Sequence, residues 1–307
     1  MFYRGVKRTA LNCIFDHVKK TPLAWGLLLA LSLTWGSSFI LMKRGLEAFS
    51  SDEVAAIRIS MAFLVLLPVF IKNLTKEYIR QFKGLMLTGV FGSLIPAFLF
   101  TMAETRISSA LAGMLNALTP VFTILLSIVW LKISVSRHQV LGLVSGLLAA
   151  VALILFDDVP DMFNNLQFGA LVILATVCYA ISVNVIRKYL SGLKPLGTTA
   201  WAFAIIGPIA LVYLLFFTDF RLHLAEHPQA SSSLIYTSIL GVVGSALSVI
   251  AYNYLINRAG TVFASSCTYL IPIVALFWGL LDGESVNFSQ MACVLALIFS
   301  VYLLNRD

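Results

Sequence analysis

The chain has 307 residues, 60% of them apolar and only 11% charged, and its mean hydropathy is +0.94. Soluble domains carry about 25% charged residues, so this composition excludes a water-soluble globule and makes the lipid bilayer the solvent. The formal net charge of +7 does not point to nucleic acid, because the lysines and arginines gather at the ends of apolar runs, where orientation signals sit.

A helix needs roughly 20 mostly apolar residues to span the hydrocarbon core. Ten such runs follow in chain order, at about 23–42, 54–71, 84–103, 107–131, 140–156, 168–186, 197–217, 233–255, 261–281 and 287–304. Ahead of them, Met1 to Lys20 is polar and basic and carries no cleavable signal pattern, so residues 1–21 are expected to form a cytoplasmic N-terminal segment. An acidic connection at 157–167, with Asp157, Asp158 and Asp161, divides two groups of five helices, 22–156 and 168–307.

Placing the N-terminus in the cytoplasm puts sixteen basic residues on the inner side. They are Arg4, Lys7, Arg8, Lys19, Lys20, Lys72, Lys76, Arg80, Lys83, Lys132, Arg137, Arg187, Lys188, Lys194, Arg258 and Arg306. Four remain outside (Lys43, Arg44, Arg106 and Arg221), and Arg58 falls inside a helix. This positive-inside bias predicts that both termini are cytoplasmic in a multi-pass protein of the cell inner membrane.

The second half repeats the first. A shift of 152 residues lays Gly89, Val90, Gly92 and Ser93 on Gly241, Val242, Gly244 and Ser245, and lays Pro120 on Pro272. WGSSFILMKR (35–44) runs parallel to YAISVNVIRK (179–188), and Gln139 has a looser partner in Gln290. Five helices per copy is an odd number, so the second copy must enter the membrane upside down. The predicted fold is therefore an all-α integral membrane protein of ten transmembrane helices, built as two inverted five-helix repeats. In such machines the substrate binds between the copies.

Several motifs occur in order along the chain. They are Trp35-Gly36-Ser37-Ser38-Phe39 in helix 1, Ala55-Ala56-x-Arg58 in helix 2, and Ala110-Leu111-Ala112-x-Met114-Leu115-x-Ala117-Leu118-Thr119-Pro120 in helix 4. The second half adds Ala264-x5-Leu270-Ile271-Pro272 and Asp282-Gly283-Glu284 before Gln290. With these, nearly the whole chain resembles the drug/metabolite transporter superfamily, specifically its ten-helix EamA-type bacterial members. The resemblance implies export or exchange of small polar or amphipathic metabolites, amino acids among them. Where the family has Gly-Glu after helix 4, this chain reads Leu131-Lys132-Ile133, so the first-half acid is lost.

Arg58 is the costliest residue in the spans, since a charge at mid-bilayer costs about 2.5–3.5 kcal/mol on insertion scales. One reading has it snorkelling or paired with Asp52, Glu53 or Glu104 in an outer charge cluster. The other makes it an anchor for a substrate carboxylate or an outer gate, a role suited to the two parallel donors of its fork. Pro120 and Pro272 break helices 4 and 9 and free a carbonyl each. Near them Asn116, Thr119, Thr268 and Tyr269 either line a cavity or make interhelical bonds. Trp35, Phe39, Phe100, Tyr179, Tyr252 and Tyr269 fall at related places in the two copies and either sandwich an apolar cargo group or pack. Ser38, Asn253 and Asn184 are the remaining polar candidates. Gly142-x-x-x-Gly146 serves internal packing, with a dimer seam as the alternative to a monomer.

No Asp, Glu or His lies at the centre of a span, which leaves ion coupling without support apart from Glu104 near the outer edge. The four cysteines lack metal-type spacing, and no catalytic or nucleotide-binding motif occurs, so neither cofactor nor metal is expected and the chain is not read as an enzyme. Its expected partners are a small-molecule substrate and the bilayer. The reading is a secondary transporter. The alternatives are an uptake permease or, in a different class, a membrane-embedded lipid-modifying enzyme.

Overall fold

A computed structural model describes residues 21–132, 136–155, 162–265 and 267–304, and every regular element within them is helical. Seven helices among the described residues are long and apolar enough to cross a membrane. In chain order they are α1 (Pro22–Gly45), α2 (Ser51–Lys72), α3 (Phe82–Ala103), α4 (Ser109–Trp130), α6 (Leu166–Leu190), α7 (Pro195–Phe216) and α8 (Ala230–Leu255). Three more helices, α5 (Arg137–Leu155), α9 (Cys267–Leu281) and α10 (Phe288–Leu304), carry shorter apolar stretches. Residues 1–20, residues 157–161 of the acidic connection and Ile133 lie outside the described residues, and the rest of the expected 157–167 connection is already helical, from Met162.

Capping chemistry sets where helices begin. Thr21 caps α1 ahead of Pro22, its hydroxyl accepting from the Ala24 N–H. At α2 the Glu53 carboxylate reaches back to the Ser50 N–H at 2.9 Å, and the Ser108 hydroxyl accepts from Leu111 at the start of α4. α5 and α10 open with the same reciprocal device. Ser136 and Gln139 exchange backbone-to-side-chain bonds at 2.9 and 3.3 Å, and Asn287 and Gln290 do so at 3.1 and 2.8 Å.

One boundary departs from the sequence reading. The connection expected at 256–260 is helical, because the helix runs on from Ser248 through Ser265. No proline stands there, and a single Gly260 costs a helix only about 1 kcal/mol.

The bundle is organised by pairs. α1 packs on α8 and α9, while α6 packs on α3 and α4. α2 pairs with α7, α4 with α9, and α5 with α10. Exchanging the first five helices for the second five turns these main pairs into one another. Close approach depends on small residues where α2 meets α8 and at the α5–α10 seam. A Cβ at Gly241 would stand 2.6 Å from the Arg58 carbonyl, and one at Gly146 would stand 2.4 Å from Ser300 Oγ. Gly146 thus serves the internal α5–α10 contact. Leu23, Leu33, Val129, Phe216, Phe288 and Leu295 stay exposed on the perimeter, the surface a lipid solvent requires.

Candidate functional site

Trp35 and Phe39 lie one turn apart on α1 and reach into both halves of the chain. The Trp35 ring is 5.1 Å from Tyr252, and its Nε1 donates to the Gly244 carbonyl at 3.1 Å. Phe39 meets Phe100 of α3 at 5.7 Å, and Phe100 stacks on Tyr179 of α6 at 6.0 Å. The five rings make two runs of contacts, Trp35–Tyr252 and Phe39–Phe100–Tyr179, which one turn of α1 joins into an aromatic string across four helices. It passes beside π-helical segments at Val90–Leu94 and Leu240–Leu247, the matching points of α3 and α8. Such wider turns displace backbone groups from the regular ladder and are frequent at functional sites.

Arg58 of α2 joins the end of this string. Its Nε donates to Ser245 Oγ at 2.7 Å, one Nη faces the Met42 sulfur at 3.8 Å, and the Tyr179 phenol is within hydrogen-bond reach. Among the described residues Arg58 makes no ion pair with any carboxylate, so the expected pairing with Asp52, Glu53 or Glu104 does not occur. The reason is competition. Asp52 accepts from the Tyr213 hydroxyl at 2.9 Å, and Glu53 is buried against the Ser50 N–H and His223 Nδ1 at 2.9 and 2.8 Å.

Glu104, just past α3, is different. It is 8% exposed, and both of its carboxyl oxygens are buried without a hydrogen-bond partner among the described residues. Burial first, and the Glu284 carboxylate second, push its pKa well above the usual carboxylate value, while Arg58 and Lys43 pull the other way.

A latch of charges closes this end of the bundle. Lys43 pairs with Asp282 at 2.5 Å and with Glu284 at 2.7 Å, and Arg44 bonds Glu47 and Asp282. Glu284 also accepts from the Ser109 N–H, the Ser109 hydroxyl and the Ala110 N–H at 3.1, 2.9 and 3.0 Å. It therefore caps α4 from across the fold, where the helix dipole favours an anion. Burial alone would raise the Glu284 carboxyl, but the Lys43 ammonium and the Ala110 and Ser109 donors outweigh it and hold the group below its usual value.

The remaining candidates lie elsewhere or are spoken for. The Thr119 hydroxyl donates to the Asn116 carbonyl at 2.9 Å, which is the carbonyl that Pro120 leaves free, and a 3-10 turn at Asn116–Leu118 precedes it. Pro272 sits inside α9, and Thr268 is half-buried near the start of that helix. Ser38 is buried and back-bonds to the Thr34 carbonyl at 3.0 Å, and Asn253 faces Thr199 Oγ1 at 3.4 Å. The Tyr269 side chain is outside the described residues. Asn184 bonds across helices, to the Thr123 carbonyl and Ser127. The residues that sequence reasoning missed are Met42, Lys43, Ser109 and Ser245. Ser245 sat on the repeat diagonal opposite Ser93, and Met42 and Lys43 fell within the repeated stretch 35–44, whereas Ser109 left no trace in the sequence.

The profile of the EamA-like transporter family matches residues 23–155 and again residues 168–306. The inner membrane transporter YedA of Escherichia coli strain K12 is 25% identical over 91% of this chain and 89% of its own length. A protein of Streptantibioticus cattleyicolor named "Probable terminal-alkyne amino-acid exporter" is 24% identical over 84% of each chain. A crystal structure only 15% identical in sequence superposes with a TM-score of 0.60, over 91% of this chain and 95% of the other, and so shares the fold. With both halves matched and the helices those halves require in place, the chain belongs to the EamA-like transporter family, within the drug/metabolite transporter superfamily.

Proposed function

We propose that this transporter is a secondary carrier that exports or exchanges small metabolites, amino acids or related amphipathic compounds, across the cytoplasmic membrane by alternating access. The observation that carries the reading is the convergence of one half-buried arginine, free of any carboxylate, with an aromatic string drawn from both halves of the chain. A guanidinium suits an anionic group, and flat rings suit an apolar one. The amino-acid exporter among the relatives supports the same class of cargo. Trp35, Ser38, Phe39, Phe100, Asn116, Thr119, Tyr179, Tyr252, Asn253, Thr268 and Tyr269 are proposed to contribute to the pathway between the repeats, with Pro120 and Pro272 loosening α4 and α9.

The carrier has ten spans in two inverted five-helix repeats, with both termini cytoplasmic, in this proposal. The doubled family match, the paired π-helical segments and the twin caps of α5 and α10 support the repeat. The charge bias supports the orientation, which makes the Lys43–Glu284 latch the outer gate. Two measurements test the proposal. Solute flux in proteoliposomes separates a carrier from any membrane enzyme, and flux of no metabolite would end the reading. In thiol labelling, a cysteine at position 188 should be reached from the cytoplasm and one at position 158 from outside. The opposite pattern would overturn the orientation.

A further inference from the structure

Arg58 and Glu104 are the two ionisable groups the latch leaves over. Lys43 and Arg44 are committed to Asp282, Glu284 and Glu47, while Glu53 is committed to His223. Among the described residues Arg58 bonds the Ser245 hydroxyl, faces the Met42 thioether and lies beside the Tyr179 phenol, and a thioether is a weak acceptor that a carboxylate would displace. Glu104 has no donor at either carboxyl oxygen. An uncompensated buried charge is expensive, and a carboxyl with no donor is rarer still in a native fold. The two groups are within electrostatic reach of each other, yet they form no ion pair. They also flank the same rings, because Glu104 follows Phe100 by one turn, with its N–H on the Phe100 carbonyl at 2.9 Å, and Phe100 stacks on Tyr179 beside Arg58.

We propose that Arg58 and Glu104 are the two poles of the cargo site, Arg58 taking a carboxylate and Glu104 an ammonium of one zwitterionic cargo whose apolar side chain lies along Phe100 and Tyr179. This deepens the carrier reading and rests on it. A dipolar ligand satisfies both leftover charges at once, whereas an amine or an acid alone satisfies one and leaves the other buried. The site therefore selects by pole count rather than by side chain, and its Arg fork and carboxylate define the spacing it accepts.

The test uses the full chain in liposomes and counterflow of labelled L-leucine and L-phenylalanine. Each competes against its one-pole analogues: isopentylamine and 4-methylpentanoate for leucine, phenethylamine and 3-phenylpropanoate for phenylalanine. In the wild type the amino acids should compete about 10- to 100-fold better than either analogue, the loss expected when a hydrogen bond to a charged group is left unmade. Glu104→Gln should erase the advantage over the acids and keep that over the amines. Arg58→Gln should do the reverse, and if it does not fold, Glu104→Gln decides alone. Three results overturn the two-pole site while leaving the carrier intact. They are equal loss of all competitors in Glu104→Gln, a wild type that prefers a one-pole analogue, or counterflow of other metabolites from a labelled cell extract with neither amino acid moving. No counterflow of any solute from that extract would instead bring down the carrier reading itself.

Discussion

The connections that follow α9 and α4 use one backbone plan with two chemistries. After α9, Gly283 turns the chain in the left-handed region at φ 80°, and the cap of α10 follows through Asn287 and Gln290. After α4, Lys132 makes the same turn at φ 52° and ψ 40°, and the cap of α5 follows through Ser136 and Gln139. A β-carbon in that region costs roughly 1–2 kcal/mol, a strain Gly283 avoids and Lys132 bears. The larger difference is one residue on. Glu284 ties its connection to Lys43 and to the start of α4, whereas the first-half sequence reads Lys132-Ile133, with no acid at that place. One end of the bundle is fastened by buried charge, and the sequence at the matching place after α4 supplies no acid to repeat it. In the alternating-access carrier proposed above, opening the Glu284 end would have to break these bonds, a cost that biases its equilibrium.

Removing the fastener tests that difference most strongly. Glu284→Gln should lower the unfolding free energy in mixed micelles by about 2–3 kcal/mol, since three donors and an ammonium lose a buried carboxylate. A variant as stable as the wild type would show that the latch holds nothing. The same group predicts a pH dependence. Its folded-state pKa is depressed, so its contribution is fully present above the unfolded carboxylate value of about 4.3 and is lost as pH falls through the lower folded value. The stability gap between wild type and Glu284→Gln should therefore stay constant from neutral pH down to about 4.3 and close below it. A gap that widened on acidification would contradict the assignment.

Next in size is the turn itself. Gly283→Ala should cost about 1–2 kcal/mol, while Lys132→Gly should gain about 0.5–1 kcal/mol after the entropy of glycine is discounted. Equal and opposite sensitivity is not expected, only opposite signs, and matching signs would mean that the two turns are not equivalent. Smallest is the pair of caps. Gln139→Ala and Gln290→Ala should each cost about 0.5–1.5 kcal/mol, and by similar amounts. A tenfold disparity in their equilibrium effects would break the parallel between α5 and α10.

Much of this was legible in the sequence because membranes enforce it. Apolar runs mark the helices wherever backbone groups must be satisfied within the segment. Trp35, Phe100, Tyr179 and Tyr252 were readable from the repeat, since the Trp35–Tyr252 contact has its copy in Tyr179–Phe100 and both pairs recur between the halves. Arg58 was readable from its cost, but its partner was not. Ser245 is 187 residues away, and a hydroxyl in a helix announces nothing. The latch stayed hidden for the same reason, because Lys43 and Glu284 are separated by 241 residues. Asp282-Gly283-Glu284 stood out as a motif, while its duty of capping α4 became visible only in three dimensions. Asn116 and Thr119 were read as lining a cavity or bonding between helices, and that the Thr119 hydroxyl also donates to the carbonyl Pro120 leaves free is visible only in three dimensions.

The seam between α5 and α10 has a practical corollary. These helices pack chiefly on each other, with Gly146 against Ser300. A pair joined so closely is a built-in ruler. Spin labels on the lipid-facing sides of α5 and α10, at Leu148 and Leu295 for example, would report a separation that stays fixed while other helices rock, giving distance measurements on the working carrier an internal zero.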